Sequence, residues 1–141
     1  MDTNILIWLE DSLKALGLPI YIGSAPKTTQ KINSFMIINP EQNKNTSNSK
    51  IDFNGNTFND DYVNIYIITE NNQEFVNANE IAYNVKNSVD DISSFIGNIA
   101  VTDNVRIIEI LDNRIIYDGI DNQNRFVFNL KVRILWQHIK V

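Results

Sequence analysis

The chain has 141 residues, 43% of them hydrophobic, with 12 Lys and Arg against 17 Asp and Glu: one domain's worth of polypeptide with enough apolar material for a core. It contains no cysteine, which excludes disulfides, thiolate zinc sites and thiol nucleophiles and fits a reducing cytoplasm. A formal net charge of −5 works against broad attraction to nucleic acid or anionic lipid.

The start, Met1-Asp2-Thr3-Asn4, places an acid where a signal peptide carries positive charge, and the apolar run Ile5 to Leu9 is far shorter than a membrane span. Neither export nor membrane anchoring is expected. A helix is predicted from Asn4 to Leu16, with Asp2 or Thr3 as N-cap, Gly17 at the left-handed C′ position and Pro19 barring continuation. Ile5, Trp8, Leu9, Leu13 and Leu16 form its buried stripe, opposite Glu10, Asp11 and Lys14. Ile7 lies on the wrong side of that helix, as an ordinary exposed residue or as part of a subunit contact.

Leu18 to Ile22 and Ser34 to Asn39 read as short strands bounded by Gly23, Pro26 and Pro40. From Glu41 to Asp61 the composition turns to Asn, Ser, Thr, Lys and Asp, which predicts a long loop, ordered mainly in an assembled state. Within it, Asn54-Gly55 is a type I′ hairpin signal that makes the segment a candidate β-arm. Tyr62 to Thr69 reads as a central strand. A second helix is predicted from Ala78 to Ile96, capped by Asn77 and stopped by Gly97, with Ile81, Val85, Val89, Ile92 and Ile96 on its sheet-facing side.

Val105 to Leu111 and Arg114 to Tyr117, joined at Asp112-Asn113, complete the sheet together with Phe126 to Gln137 after the turn Asp118-Gly119 and the polar stretch Asp121 to Asn124. In that last strand Phe126, Phe128, Leu130, Val132, Ile134 and Trp136 alternate with Arg125, Val127, Asn129, Lys131, Arg133 and Leu135. One face is core and the other is wet. The net charge is +4 from Arg125 to Val141 and −9 over the rest, so the domain is electrostatically two-sided. The expected fold is α+β: an antiparallel or mixed sheet with two helices packed on one face and a long polar loop or β-arm, as a single domain over 1–141.

No catalytic constellation emerges. His138 is the only histidine and sits near the chain end, and there is no phosphate-binding glycine loop and no zincin motif. The carboxylate pairs Asp60-Asp61 and Asp90-Asp91 could in principle ligate Mg²⁺, but adjacent side chains rarely converge on one ion. No cofactor or metal is expected, and the chain reads as a non-enzyme.

The succession Ile5 to Leu16, Leu18-Pro19-Ile20-Tyr21, Tyr62 to Thr69, Ala78 to Ile96 and the terminal Phe126-to-Ile134 strand resembles the tail terminator and tail-completion proteins of tailed bacteriophages, including the small minor capsid proteins at the head-tail joint. That resemblance implies a structural virion protein of the neck or tail, assembled in the host cytoplasm. It implies a homo-oligomeric ring touching portal, adaptor or tail rings, with duplex DNA passing through its channel unbound. Ring membership needs two unlike complementary patches on one subunit. The candidate interface residues are Ile7, the basic Arg125, Lys131 and Arg133, and the acidic Glu80, Asp90 and Asp91 of the second helix. Two other readings are a small intracellular module gripping a peptide by its sheet edge and an Asp-dependent nuclease.

Overall fold

The computed structural model describes residues 3–25, 33–41, 50–51, 57–100 and 102–138. Helix α1 (Thr3–Leu13) passes into a 3₁₀ turn at Lys14–Leu16. Gly17 then takes φ 76° and donates its N–H to the Lys14 carbonyl at 3.1 Å, a left-handed cap that an L side chain would strain. Strands β1 (Ile20–Ile22), β2 (Phe35–Pro40), β3 (Lys50–Ile51) and β4 (Thr57–Ile68) follow. After helix α2 (Phe75–Ile92) come β5 (Gly97–Asn98), β6 (Asp103–Ile110), β7 (Ile116–Ile120) and β8 (Phe126–His138).

These strands form one mixed sheet in the order β1-β2-β4-β8-β6-β5, with β3 also on β4 and β7 also on β8. Among the described residues only the β1–β2 pair is parallel. The long strands β4 and β8 pair antiparallel from Thr57↔His138 to Ile68↔Val127. Each is flanked on its other side by two short strands laid end to end. Against β4 these are β2, ending at Pro40↔Val63, and β3, starting at Lys50↔Phe58. Against β8 they are β6, ending at Ile110↔Val132, and β7, starting at Ile116↔Asn129. The sheet is therefore five strands wide at either end, β1-β2-β4-β8-β7 at one and β3-β4-β8-β6-β5 at the other.

Alternation decides which side is covered. Phe128, Leu130, Val132, Ile134 and Trp136 of β8 are buried, and the register joins them to Val63, Ile65 and Ile67 of β4 and to Val105, Ile108 and Ile110 of β6. Ile5, Leu6, Leu9 and Leu13 of α1 and Ala78, Ala82, Val85 and Val89 of α2 pack into this same cluster. Both helices therefore lie on one face of the sheet, the expected α+β arrangement. Trp8 of α1 meets the segment that follows α2, its ring centroid 5.2 Å from that of Phe95.

Several boundaries differ from expectation, each for a physical reason. Helix α2 begins at Phe75 and ends at Ile92, leaving Ile96 68% exposed instead of buried. Strand β4 starts five residues early, because Asn59, Asp60 and Asp61 are held by a full ladder with β8. Asp112 and Asn113, at φ 56° and 50°, do not reverse the chain. They form a 3₁₀ kink (Leu111–Asn113) after which β7 continues along β8 in the same direction as β6. Gly119 is a register shift within β7, and the reversal falls at Asp121–Asn124. The Asp2 cap, the Asn54-Gly55 turn and most of the expected loop (42–49 and 52–56) lie outside the described residues.

Candidate interaction site

The face of β4 and β8 turned away from both helices carries Lys131 and Arg133, as the alternation assigns them, and no helix covers it among the described residues. Arg133 donates Nε to Asp60 Oδ1 at 2.8 Å and Nη2 to Asp60 Oδ2 at 3.0 Å, while Nη1 reaches Glu109 Oε1 at 3.0 Å. The hydrogen bonds to Asp60 and then Glu109 push the guanidinium pKa above its already high value. Lys131 lies 3.0 Å from Glu41 Oε2, with its ammonium 5.2 Å from the centroid of the Tyr62 ring. Where both flanking strands break, Glu41, Asp61, Tyr62, Leu111 and Lys131 line a shallow cleft of about 300 Å³.

Arg125 departs further from expectation. It precedes β8, is buried, and closes the β7–β8 reversal on Asp121, with Nε 2.9 Å from Oδ2. Asp121 Oδ1 also accepts the backbone N–H groups of Gln123 and Arg125 at 2.9 and 3.0 Å. Burial would raise the Asp121 pKa, but the Arg125 side chain and these two amides together hold it below the ordinary value. The Arg125 guanidinium also stacks 5.5 Å from the Phe35 ring centroid.

The basic residues expected to face a neighbour's acids thus each have a carboxylate partner within the chain. What that face presents is a balanced network, not a positive surface. On α2, Glu80 and Asp91 are exposed, while Asp90 accepts from Lys86 Nζ at 2.9 Å. Ile7 is 46% exposed on α1. Asp60 and Asp61 point to opposite faces, Asp60 to Arg133 and Asp61 to the Trp136 indole N–H at 2.8 Å. They do not converge on a common ion, and no group of three metal-ligating side chains gathers among the described residues.

His138 Nδ1 lies 3.1 Å from Asp103 Oδ1, and Asn4 Nδ2 donates to Asp103 Oδ2 at 2.9 Å. Asp103 is fully buried. The three side chains tie the start of α1 to the ends of β6 and β8.

Sequence reasoning missed an exposed apolar cluster. Phe75 and Val76 open α2, and Tyr117 and Ile120 lie on the helix-bearing side of β7; all four are more than 40% exposed, as is Ile116, which its pairing with Asn129 turns to the other face. The Phe75 ring meets Tyr117 and Phe126 edge to face at 5.3 Å and lies 6.1 Å from Phe128. The sequence marks Arg114 to Tyr117 as a strand, but only the sheet order makes it an edge. No strand among the described residues pairs with its outer side. An exposed apolar cluster beside an open sheet edge is a candidate contact site.

Comparison with protein-family models and with curated proteins finds no match to this chain. No helix among the described residues is long and apolar enough to cross a membrane.

Proposed function

We propose that this protein is a structural subunit of a homo-oligomeric ring at the head-tail joint of a tailed bacteriophage, seated in the neck or tail of the virion. The supporting observation is that one end of the sheet has two unlike margins, β1 and β7, on whose outer sides no strand pairs among the described residues, with the larger apolar cluster at β7. A heterologous contact requires two different surfaces on each subunit, and repeating it closes a ring when the rotation permits. The element order supports the phage assignment through its resemblance to tail terminator proteins. In this reading portal, adaptor or tail rings stack above and below, and duplex DNA passes through the channel without being held. The neutralised Lys131 and Arg133 suit such a passage, since a surface without surplus positive charge gives phosphate no grip.

The test is negative-stain electron microscopy of the concentrated protein. Annular particles with a central channel are expected. Globular monomers throughout, or a divalent-dependent nuclease activity lost in Asp60→Ala, would overturn the reading. The exposed β7 edge also fits an intracellular module that binds an extended peptide; saturable binding of such peptides by a persistently monomeric protein would favour it.

A further inference from the structure

We infer that β7 of one copy pairs antiparallel with β1 of the next copy, so that the sheet runs on from subunit to subunit. The inference rests on the ring reading and names the two surfaces that build it.

Strand direction is the first support. β1 is parallel to β2, β2 antiparallel to β4, β4 to β8, and β8 to β7. β1 and β7 therefore run in opposite directions at the two margins of one sheet. A second copy set alongside in the same orientation brings its β1 against β7 as an antiparallel pair, which is the more stable kind of ladder.

Side-chain chemistry is the second. The register places Ile20, Met36, Ile67, Phe128 and Tyr117 in one row across all five strands, on the helix-bearing face. That row ends in half-buried Ile20 at one margin and exposed Tyr117 at the other, and apolar groups on the same face flank both. Ile22 is 38% exposed beside Ile20, and Tyr117 and Ile120 are 45% and 59% exposed at the other side. Joining the margins with the incoming copy stepped by two residues along the strand sets its Ile22 beside Tyr117 and its Ile20 beside Ile120, leaves Ile22 diagonal to Ile120, and brings its α1 layer toward Phe75 and Val76.

Charge is the third, because it separates this contact from a two-fold one. Two five-residue β7 strands overlap fully in an antiparallel pair only when centred on Asp118, which sets one Asp118 against the other. Like charges directly opposite are destabilising. β1 carries no charge on Ile20, Tyr21 or Ile22, so β7 meets no repulsion there.

The absence of cysteine makes the test clean. Ile22→Cys and Ile120→Cys are made singly and together, and each protein is treated with a short bis-maleimide. The two positions lie on strands four spacings apart, about 19 Å, too far for a link within one chain. The double variant is expected to give a ladder of multiples in denaturing gels, with both single variants monomeric. Dimers from Ile120→Cys alone would replace the proposal with a two-fold contact. Large assemblies in native mass spectra without a ladder would overturn this pairing and leave the ring intact, whereas monomers throughout would overturn both. Ile120→Lys, at a surface position, should abolish assembly with an unchanged far-ultraviolet circular dichroism spectrum; assembly at wild-type concentration would again count against the edge.

Discussion

Arg133 grips Asp60 through two parallel hydrogen bonds of 2.8 and 3.0 Å across the β8–β4 seam, and its third nitrogen holds Glu109 on β6. One guanidinium thus joins three strands on the uncovered face. Both Arg133 and Asp60 are about 30% exposed or less, so water screens the pair only in part, and bidentate geometry makes it stronger than an ordinary surface ion pair. Arg133→Met is expected to lower stability by about 1–2 kcal/mol in urea unfolding. A double-mutant cycle with Asp60→Asn should return a coupling of the same order. Coupling near zero would show that the bridge adds nothing.

The Asp121–Arg125 closure predicts a pH dependence whose sign is fixed. Asp121 has a folded pKa below its ordinary value of 3.8, so its contribution is fully present above that value and is lost as the pH falls through the folded one. Asp121→Asn should destabilise the protein by about 2 kcal/mol at neutral pH, because Arg125 is buried and keeps its charge. The gap between wild type and variant should then narrow as the solution is acidified below the unfolded pKa. A gap unchanged into strong acid would contradict the assignment.

The two faces of β8 should respond differently to truncation. Leu130 is fully buried, and Leu130→Ala is expected to cost about 2–5 kcal/mol. Lys131→Ala next to it removes a half-exposed pair with Glu41 and the ammonium's contact with the Tyr62 ring and should cost about 1 kcal/mol. Thermal unfolding of the two variants checks the contrast, and equal losses would mean that the core face is misassigned.

The same residues show what the sequence could disclose. Gly17 and the unbroken alternation from Phe126 to Trp136 are local signals, and both elements formed as their patterns dictate. Asn59, Asp60 and Asp61 read as loop because their strand conformation is imposed from outside, by the β8 ladder, Arg133 and the Trp136 indole. Positive charge on β8 was legible, but its neutralisation was not, since Glu41, Asp60 and Glu109 come from three distant segments. The β7 edge was hidden for a similar reason: Asp112-Asn113 has turn composition, yet its left-handed pair kinks the chain along β8 instead of reversing it.

Neutralised cations also predict weak contact with DNA. Fluorescence anisotropy with a labelled duplex at physiological salt should show no saturable binding, because Lys131, Arg133 and Arg125 already face carboxylates. Tight binding with a steep salt slope would instead mean that the protein holds the DNA it is proposed to let pass.

The central claim is that the chain is built to assemble with itself, and native mass spectrometry across a concentration series tests it most directly. The account predicts one discrete species with a fixed number of subunits rising with concentration, as a closed ring requires. A strict monomer at every concentration, or an open-ended series of sizes with no preferred number, would contradict it.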